Sequence, residues 1–180
     1  MLDCLILGDS IAVGVGQAKP GCRVVAETGI TSERYIQTLL VARTARIAII
    51  SLGVNDGDGV DTVDNLLRLR HAVTARTVYW LLAGTNKRSR EAARLVAMRF
   101  HDRLIDVAPL AGPDHLHPDR AGYAKLAGLA HGATGGAAAH RAAYQDFLPR
   151  DAVYRAFHNP SSGRTPNHVT STPVSDASRR

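Results

Sequence analysis

The chain has 180 residues, of which 45% are hydrophobic, and this length suits one globular domain with residues to spare for a tail. Its net charge of +6 divides into +3 on residues 1–130 and +3 on residues 131–180, without a compact Lys/Arg block, so we expect no nucleic-acid partner. No run approaches the roughly 18 apolar residues that span a bilayer, so we expect no membrane partner.

The first residues, "MLDCLILG", carry Cys4, and the second cysteine of the chain is Cys22. Two cysteines are too few for a Cys-based zinc site or a disulfide framework. We expect Cys4 to be a small buried thiol, with a disulfide to Cys22 as the alternative. The segment lacks the basic region, the long apolar region and the cleavage site of a signal peptide. This predicts a cytoplasmic protein, or one exported without a conventional signal peptide, for example in a phage or another particle.

Five short apolar, partly β-branched runs alternate with segments of helical spacing further along the chain. The predicted strands are 4–8, 23–27, 46–53, 77–84 and 103–108. The predicted helices are 32–42, 60–75, 89–101 and 118–130. Strands that alternate with helices form a parallel sheet with right-handed crossovers and helices on both faces. Residues 1–130 are therefore predicted to form one α/β domain around a five-stranded parallel sheet.

The residues after this domain differ in composition. Residues 131–158 are rich in Ala and Gly and then carry scattered aromatic residues, which predicts an extension that is partly helical. Residues 159–180 are mostly Ser, Thr, Pro, Asn and Gly. Such a composition buries too little apolar surface to order itself, so this tail is predicted to be disordered.

Several small or polar residues follow the predicted strands. In an open parallel sheet, ligands bind beyond the carboxyl ends of the strands. The residues at this edge are Asp9 and Ser10, Thr28 and Gly29, Gly53, Asn55 and Asp56, and Asp114 and His117. A serine becomes nucleophilic when a base removes its proton. His117 is the candidate base for Ser10, and Asp114, three residues earlier, is the candidate to orient the imidazole.

The same edge offers donors for a tetrahedral oxyanion, which are the backbone N–H groups of Ser10 and Gly29 and the side-chain amide of Asn55. Each residue also has an ordinary structural interpretation. Ser10 could cap a helix, His117 could be a surface histidine, and the other two could form turns. Their shared edge favours the functional interpretation.

Other chemistries at these positions are less complete. Asp9 could accept a phosphoryl group, but that chemistry needs a second aspartate two residues later, where the chain has Ile11. Asp114, His115 and His117 could contribute to a metal site, but the sequence shows no further cluster that completes one. We therefore predict no metal site.

The loop "GTNKRSR" places Lys87 and Arg88 after the fourth predicted strand, near the same edge. These cations are either a solvated surface or a site for an anionic substrate such as an acidic polysaccharide. Together with Asp9, they are the predicted substrate-binding residues.

The chain resembles the SGNH (GDSL-type) hydrolases over about residues 3–130. The blocks that carry the resemblance are Gly8-Asp9-Ser10, Gly29, Gly53-x-Asn55-Asp56 and Asp114-x-x-His117, in that order. The segment "HPDRAGYAKLA" is similar to the end of the family's last block. The first block reads "GDSIA" where many members have GDSL, and the fourth residue of that block mainly packs.

The resemblance implies a flavodoxin-like, three-layer α/β/α fold and ester hydrolysis through an acyl-serine, without a metal or another cofactor. By position, Ser10 is the nucleophile and an oxyanion donor, and Gly29 and Asn55 complete the oxyanion hole. His117 is the base and Asp114 orients it.

We therefore predict a serine esterase for short acyl groups, with O-acetyl groups on a carbohydrate as the expected substrate. The domain is short and offers few insertions for a deep acyl pocket, which argues against long-chain lipids. A thioesterase or lysophospholipase with the same machinery is one alternative, and a non-catalytic carbohydrate-binding scaffold is another. The sequence indicates no oligomeric state.

Overall fold

The computed structural model describes residues 1–84 and 86–129, so the predicted extension and tail lie outside the described residues. The strands are β1 (Leu2–Gly8), β2 (Arg23–Ala26), β3 (Arg43–Ser51), β4 (Val73–Leu82) and β5 (Arg103–Asp106). The helices are α1 (Ser10–Ala18), α2 (Ser32–Thr38), α3 (Thr62–His71), α4 (Lys87–Phe100) and α5 (Arg120–Leu129).

The strands form one parallel sheet in the order β2-β1-β3-β4-β5. The carboxyl ends of β1, β2 and β3 are aligned at one edge of the sheet, because Gly8 pairs with both Ala26 and Ser51. The predicted five-stranded parallel sheet is confirmed. Its carboxyl edge therefore gathers the loops that hold the predicted site.

The helices cover both faces of the sheet, which completes the three-layer α/β/α architecture. One buried cluster joins the sheet to α2, α3 and α4 and includes Leu5, Tyr35, Ile50, Leu66, Trp80 and Val96. The other joins the sheet to α1 and α5 and includes Ile6, Ile11, Val15, Ile49, Leu81 and Leu126. Both clusters lie on the buried faces of β1, β3 and β4, so the carboxyl-terminal parts of these central strands are continuous apolar runs.

The bounds of several elements differ from the sequence prediction. β3 begins at Arg43 and β4 at Val73, before the apolar runs that predicted them. The early parts of these strands carry exposed polar side chains, so apolar content alone does not detect them. α4 begins at Lys87, before the predicted start, because the side chain of Asn86 accepts hydrogen bonds from the first turn.

Gly8 ends β1 in a conformation that permits the turn into α1. Its φ is +132°, which side chains rarely adopt, and a Cβ at this position would overlap the carbonyl oxygen of Ser51. The next residue, Asp9, donates its backbone N–H to the same oxygen at 2.8 Å. The glycine thus lets the end of β1 lie directly against the end of β3.

The two cysteines form a disulfide between Cys4 in β1 and Cys22, just before β2. The expectation of a buried free thiol is therefore wrong. Adjacent parallel strands bring the two residues to a Cα–Cα distance of 4.6 Å, a contact that sequence spacing alone does not reveal. The closed loop contains all of α1.

Loss of this disulfide is expected to lower the free energy of unfolding by about 3 kcal/mol, because the unfolded chain is then no longer closed into a loop. Urea unfolding of the wild type with and without a reductant measures the effect. The Cys4→Ala/Cys22→Ala variant is the control, and its unfolding should not respond to the reductant. Equal stability of the oxidised and reduced wild type would contradict the expectation.

Among the described residues, none of the helices has the length and apolar character needed to cross a membrane.

Candidate active site

Ser10 lies at the start of α1, directly beyond the carboxyl end of β1. It is half-buried, and Asp9 caps the helix by accepting a hydrogen bond from the backbone N–H of Ile11 at 3.0 Å. The helix N-terminus directs its positive end toward this turn. Asp9 is therefore the N-cap of α1. The alternative interpretation, in which Ser10 caps this helix, is wrong.

The structure brings together Ser10, His117 and Asp114. Ser10 Oγ lies 2.8 Å from His117 Nε2, and His117 Nδ1 lies 2.7 Å from Asp114 Oδ2. An imidazole with its proton on Nδ1 donates to the carboxylate and accepts a hydrogen bond from the serine hydroxyl. This is the arrangement that activates a serine in acyl transfer.

The loop that carries Asp114 and His117 is fixed by its own hydrogen bonds. Asp114 Oδ1 accepts from the backbone N–H groups of Leu116 at 3.0 Å and His117 at 2.9 Å, and Gly112 N–H donates to His117 O at 2.8 Å. The hydrogen bonds from the Leu116 amide and from the side chain and amide of His117 lower the pKa of Asp114 to about 2. Asp114 is therefore a carboxylate throughout the neutral range.

The helices beside these residues pack on each other. α1 continues from Ser10, and α5 follows soon after His117. A Cβ at Gly14 in α1 would overlap the ring of Tyr123 in α5, so the two helices approach closely there. Near the C-terminal ends of the two helices, Lys19 Nζ donates to the carbonyl of Ala127 at 3.0 Å. This packing supports the short distance between the serine and the imidazole.

The two remaining oxyanion candidates lie in loops that contact each other. Gly29 is exposed at the turn after β2, with a φ of +78°. Asn55 follows β3, and its Nδ2 donates to the carbonyl of Ile30 at 3.0 Å. This bond uses one amide hydrogen and leaves the second available. The structure thus joins the Asn55 side chain to the loop of Gly29 at the same sheet edge as Ser10.

Asp56 supports both loops, a contribution that the sequence analysis missed. Its carboxylate accepts hydrogen bonds from Ser32 N at 2.7 Å, Ser32 Oγ at 2.6 Å and Thr62 Oγ1 at 2.7 Å. Asn65 Nδ2 in turn donates to Ser32 Oγ. The position of Asp56 next to Asn55 was a signal, but its partners come from two other segments and could not be read from the spacing.

Comparison with known proteins gives matches in structure only: no family model matches the sequence, and no curated protein matches it. A Bacteroides fragilis protein described as an acylhydrolase aligns with a TM-score of 0.50 and 16% identity, over 72% of this chain and 85% of its own. A protein of Agrobacterium tumefaciens described as an arylesterase has a TM-score of 0.49 and 17% identity, over 73% and 99%. A carbohydrate acetylesterase from Sinorhizobium meliloti has a TM-score of 0.47 and 11% identity, over 73% of this chain and 97% of its own.

The chain shares the three-layer α/β/α fold of this acylhydrolase. The likeness to the acylhydrolase confirms the predicted architecture, and the positions of the residues within it come from the contacts described above.

The structure places the side chain of Asp9 in the interior, where a substrate cannot reach it without a change in the fold. Its side chain is fully buried, and Oδ1 accepts hydrogen bonds from Ile11 N and from Ser51 Oγ at 2.9 Å. Burial raises the pKa of Asp9 from its usual 3.8 to about 6, and the hydrogen bond from Ser51 opposes this rise. The sequence showed that Asp9 follows β1, but not that its side chain turns inward.

Arg88 contacts the loop after β3. Its guanidinium donates to Asp58 Oδ1 at 3.1 Å and to the carbonyls of Gly57 and Val60 at 3.1 and 2.9 Å. These contacts hold Arg88 in place, and its contact with a substrate stays a prediction. Lys87 is exposed at the first residue of α4.

The loop of Asp114 and His117 also lies close to the end of β4. A Cβ at Gly84 would lie 2.5 Å from the carbonyl oxygen of His115. His115 itself is exposed and has a φ of +57°. Within residues 1–84 and 86–129, no group of three or more His, Cys, Asp or Glu side chains could hold a metal ion.

Gly84→Ala is expected to displace this loop and lower kcat for an ester substrate by about 10-fold, because small errors in the position of a catalytic base are costly. Steady-state kinetics measure the effect. The matched control is Gly21→Ala, where a Cβ meets no atom within 4 Å, so kcat should be unchanged. An unchanged kcat in Gly84→Ala would show that the loop adapts.

Proposed function

We propose that the protein is a serine hydrolase that cleaves esters of short acyl groups, with O-acetyl groups on a carbohydrate as the substrate class. The observation that carries the proposal is the chain of contacts from Ser10 Oγ to His117 Nε2, at 2.8 Å, and from His117 Nδ1 to Asp114 Oδ2, at 2.7 Å. It supplies a nucleophile, a base and a group that orients the base.

In the proposed reaction, Ser10 Oγ attacks the carbonyl carbon of the ester while His117 Nε2 takes the serine proton. The carbon–oxygen bond to the alcohol then breaks, and the alcohol leaves with that proton. Water then attacks the acyl-serine as His117 Nε2 takes a proton from it. The bond between the acyl carbon and Ser10 Oγ breaks, the proton returns to Oγ, and the acid is released. Gly29 N–H, Asn55 Nδ2 and the Ser10 N–H are the proposed donors to the oxyanion, each worth roughly 3 kcal/mol in the transition state.

The openness of the site supports a short acyl group on a bulky alcohol. The side chains of His117 and Asp114 are 41% and 53% exposed. The connection from β4 to α4 is short, comprising residues 83–86, so it adds little material beyond the strand ends. Lys87 is retained as a candidate contact for an anionic part of the substrate.

The disulfide supports a place of action outside a reducing cytosol. Disulfides persist in oxidising surroundings and are rare in the cytosol of most organisms. We therefore propose that the protein acts in oxidising surroundings outside the cytosol.

Hydrolysis of p-nitrophenyl acetate, butyrate and octanoate tests the proposed function. We expect kcat/KM to fall by about 10-fold from acetate to butyrate and to fall again for octanoate, because each added methylene needs space in the acyl pocket. The activity should vanish in Ser10→Ala, with folding of both proteins checked by circular dichroism.

Each other outcome has a meaning. A rise in kcat/KM with chain length would favour a thioesterase or lysophospholipase. A folded wild type without turnover would favour a carbohydrate-binding scaffold, and activity that survives in Ser10→Ala would contradict the assignment of the nucleophile. Release of acetate from an acetylated oligosaccharide then tests the carbohydrate.

A further inference from the structure

Asp9 is a buried carboxyl group that the proposed reaction does not use. Its side chain has no exposed surface, although it directly precedes the nucleophile. Aspartate is seldom buried to this extent without a specific role, because burial of a charged group is costly.

Asp9 connects the nucleophile turn to the end of β3 through two contacts with one residue. Its backbone N–H donates to Ser51 O at 2.8 Å, and its Oδ1 accepts from Ser51 Oγ at 2.9 Å. Oδ1 also accepts from Ile11 N, in the first turn of α1. The side chain therefore fixes the direction in which Ser10 leaves the strand.

Ser51 is also the last residue before the loop of the proposed oxyanion donor. β3 ends at Ser51, and Asn55 follows four residues later. A shift at the contact between Asp9 and Ser51 would therefore move Ser10 relative to Asn55. This relation determines whether the attacking oxygen and the oxyanion donor meet the same carbonyl group.

The hydrogen bonds from Ile11 N and Ser51 Oγ both go to one oxygen of the Asp9 carboxylate, Oδ1. Among the described residues, Asp9 Oδ2 is buried without a hydrogen-bond partner, whereas Oδ1 has two. The contacts need an acceptor at Oδ1 and do not need the negative charge. An asparagine with its oxygen in that place would keep both bonds.

We propose that Asp9 is a positioning residue, which holds Ser10 in register with the Asn55 loop through its bonds to Ser51 and Ile11. The inference rests on the proposed function. It gives Asp9 an effect on the rate of acylation and none on the binding of substrate.

The test compares Asp9→Ala, Asp9→Asn, Ser51→Ala and the Asp9→Ala/Ser51→Ala double variant in the full chain. Asp9→Ala should lower kcat for p-nitrophenyl acetate by about 10-fold or more with KM unchanged, since misplacement by about 1 Å costs up to 100-fold. Asp9→Asn should stay within about 3-fold of the wild type, and Ser51→Ala should lower kcat by about 3-fold or more. The double variant should be no slower than Asp9→Ala, because both single changes remove the same contact.

Asp61→Ala is the matched control. Asp61 also caps a helix, since it accepts a hydrogen bond from Asp64 N at the start of α3, but it does not contact Ser10 or Ser51. Its loss should lower thermal stability and leave kcat unchanged. Loss of a helix cap is thereby separated from loss of position.

A second measurement, the rate at which a fluorophosphonate labels Ser10, separates this inference from the proposed function. In labelling, Ser10 Oγ bonds to phosphorus, fluoride leaves and the serine proton passes to His117. Labelling that is absent in Ser10→Ala, and at least about 10-fold slower in Asp9→Ala, supports the inference even if the ester chosen is a poor substrate.

The inference is overturned if kcat and the labelling rate of Asp9→Ala remain within about 2-fold of the wild type. It is also overturned if KM rises in step with the loss of rate, or if Asp9→Asn is as slow as Asp9→Ala. If Asp9→Ala does not fold, Ser51→Ala decides by the same criteria. A wild type that neither turns over p-nitrophenyl acetate nor reacts with the fluorophosphonate overturns both proposals.

Discussion

His117→Ala is expected to lower kcat for p-nitrophenyl acetate by about 10⁴-fold or more, with little change in KM. The imidazole is the group in hydrogen-bond contact with Ser10 Oγ, at 2.8 Å, so its loss leaves the serine without a base. Because nucleophile and base act as a unit, Ser10→Ala/His117→Ala should be about as slow as either single variant. Steady-state kinetics of the three variants measure this.

The exposed neighbour His115 provides the control. His115→Ala changes a histidine in the same loop that is two residues from His117 and is not in contact with Ser10, so kcat should stay within about 3-fold of the wild type. If the losses in the two single variants multiplied in the double variant, Ser10 and His117 would act independently, contrary to the proposed mechanism.

Asp114→Asn is expected to lower kcat, measured on the plateau of its pH profile, by about 100-fold. This decrease is smaller than the one expected for His117→Ala. The amide can no longer accept a charge-assisted hydrogen bond from His117 Nδ1 and cannot stabilise the imidazolium that forms during acylation. The exposure of Asp114, at 53%, limits the effect because solvent can partly replace the carboxylate.

The pH dependence gives a separate check on Asp114. Its pKa is lowered to about 2. The stabilisation that the charged carboxylate gives is therefore fully present above pH 3.8, its usual pKa, and is lost only as the pH falls through about 2. Between about pH 5 and about pH 9, Asp114 therefore does not titrate. The plateau kcat of the wild type should exceed that of Asp114→Asn throughout this range. Equal plateau values would remove Asp114 from the mechanism.

The triad residues could be predicted because their signals are local. Asp114 and His117 are three residues apart in one tight loop, and Ser10 directly follows an apolar strand. The carboxyl-edge rule for parallel sheets then brings the two segments together without knowledge of any contact. The structure places them within hydrogen-bond distance of one another.

The predictions failed where the answer depends on which way a side chain points across distant segments. Asp9 follows β1 as predicted, but its carboxylate turns inward to Ser51, which is 42 residues away. Arg88 lies at the expected edge and bonds to the loop at residues 57–60, and its contact with a substrate stays a prediction. The disulfide was only the alternative to a free thiol for a related reason, because it depends on the pairing of β1 with β2.

The loop closed by Cys4 and Cys22 has a practical consequence for mass spectrometry. Lys19 precedes Pro20, a bond that trypsin cleaves poorly, so digestion leaves residues 1–23 as one fragment. This fragment contains both cysteines and Ser10. Its mass shows whether the disulfide is intact, because reduction adds two hydrogen atoms. The same mass shows whether Ser10 carries an acyl or phosphonyl group. Oxidation state and modification of the nucleophile can thus be followed in the same molecules.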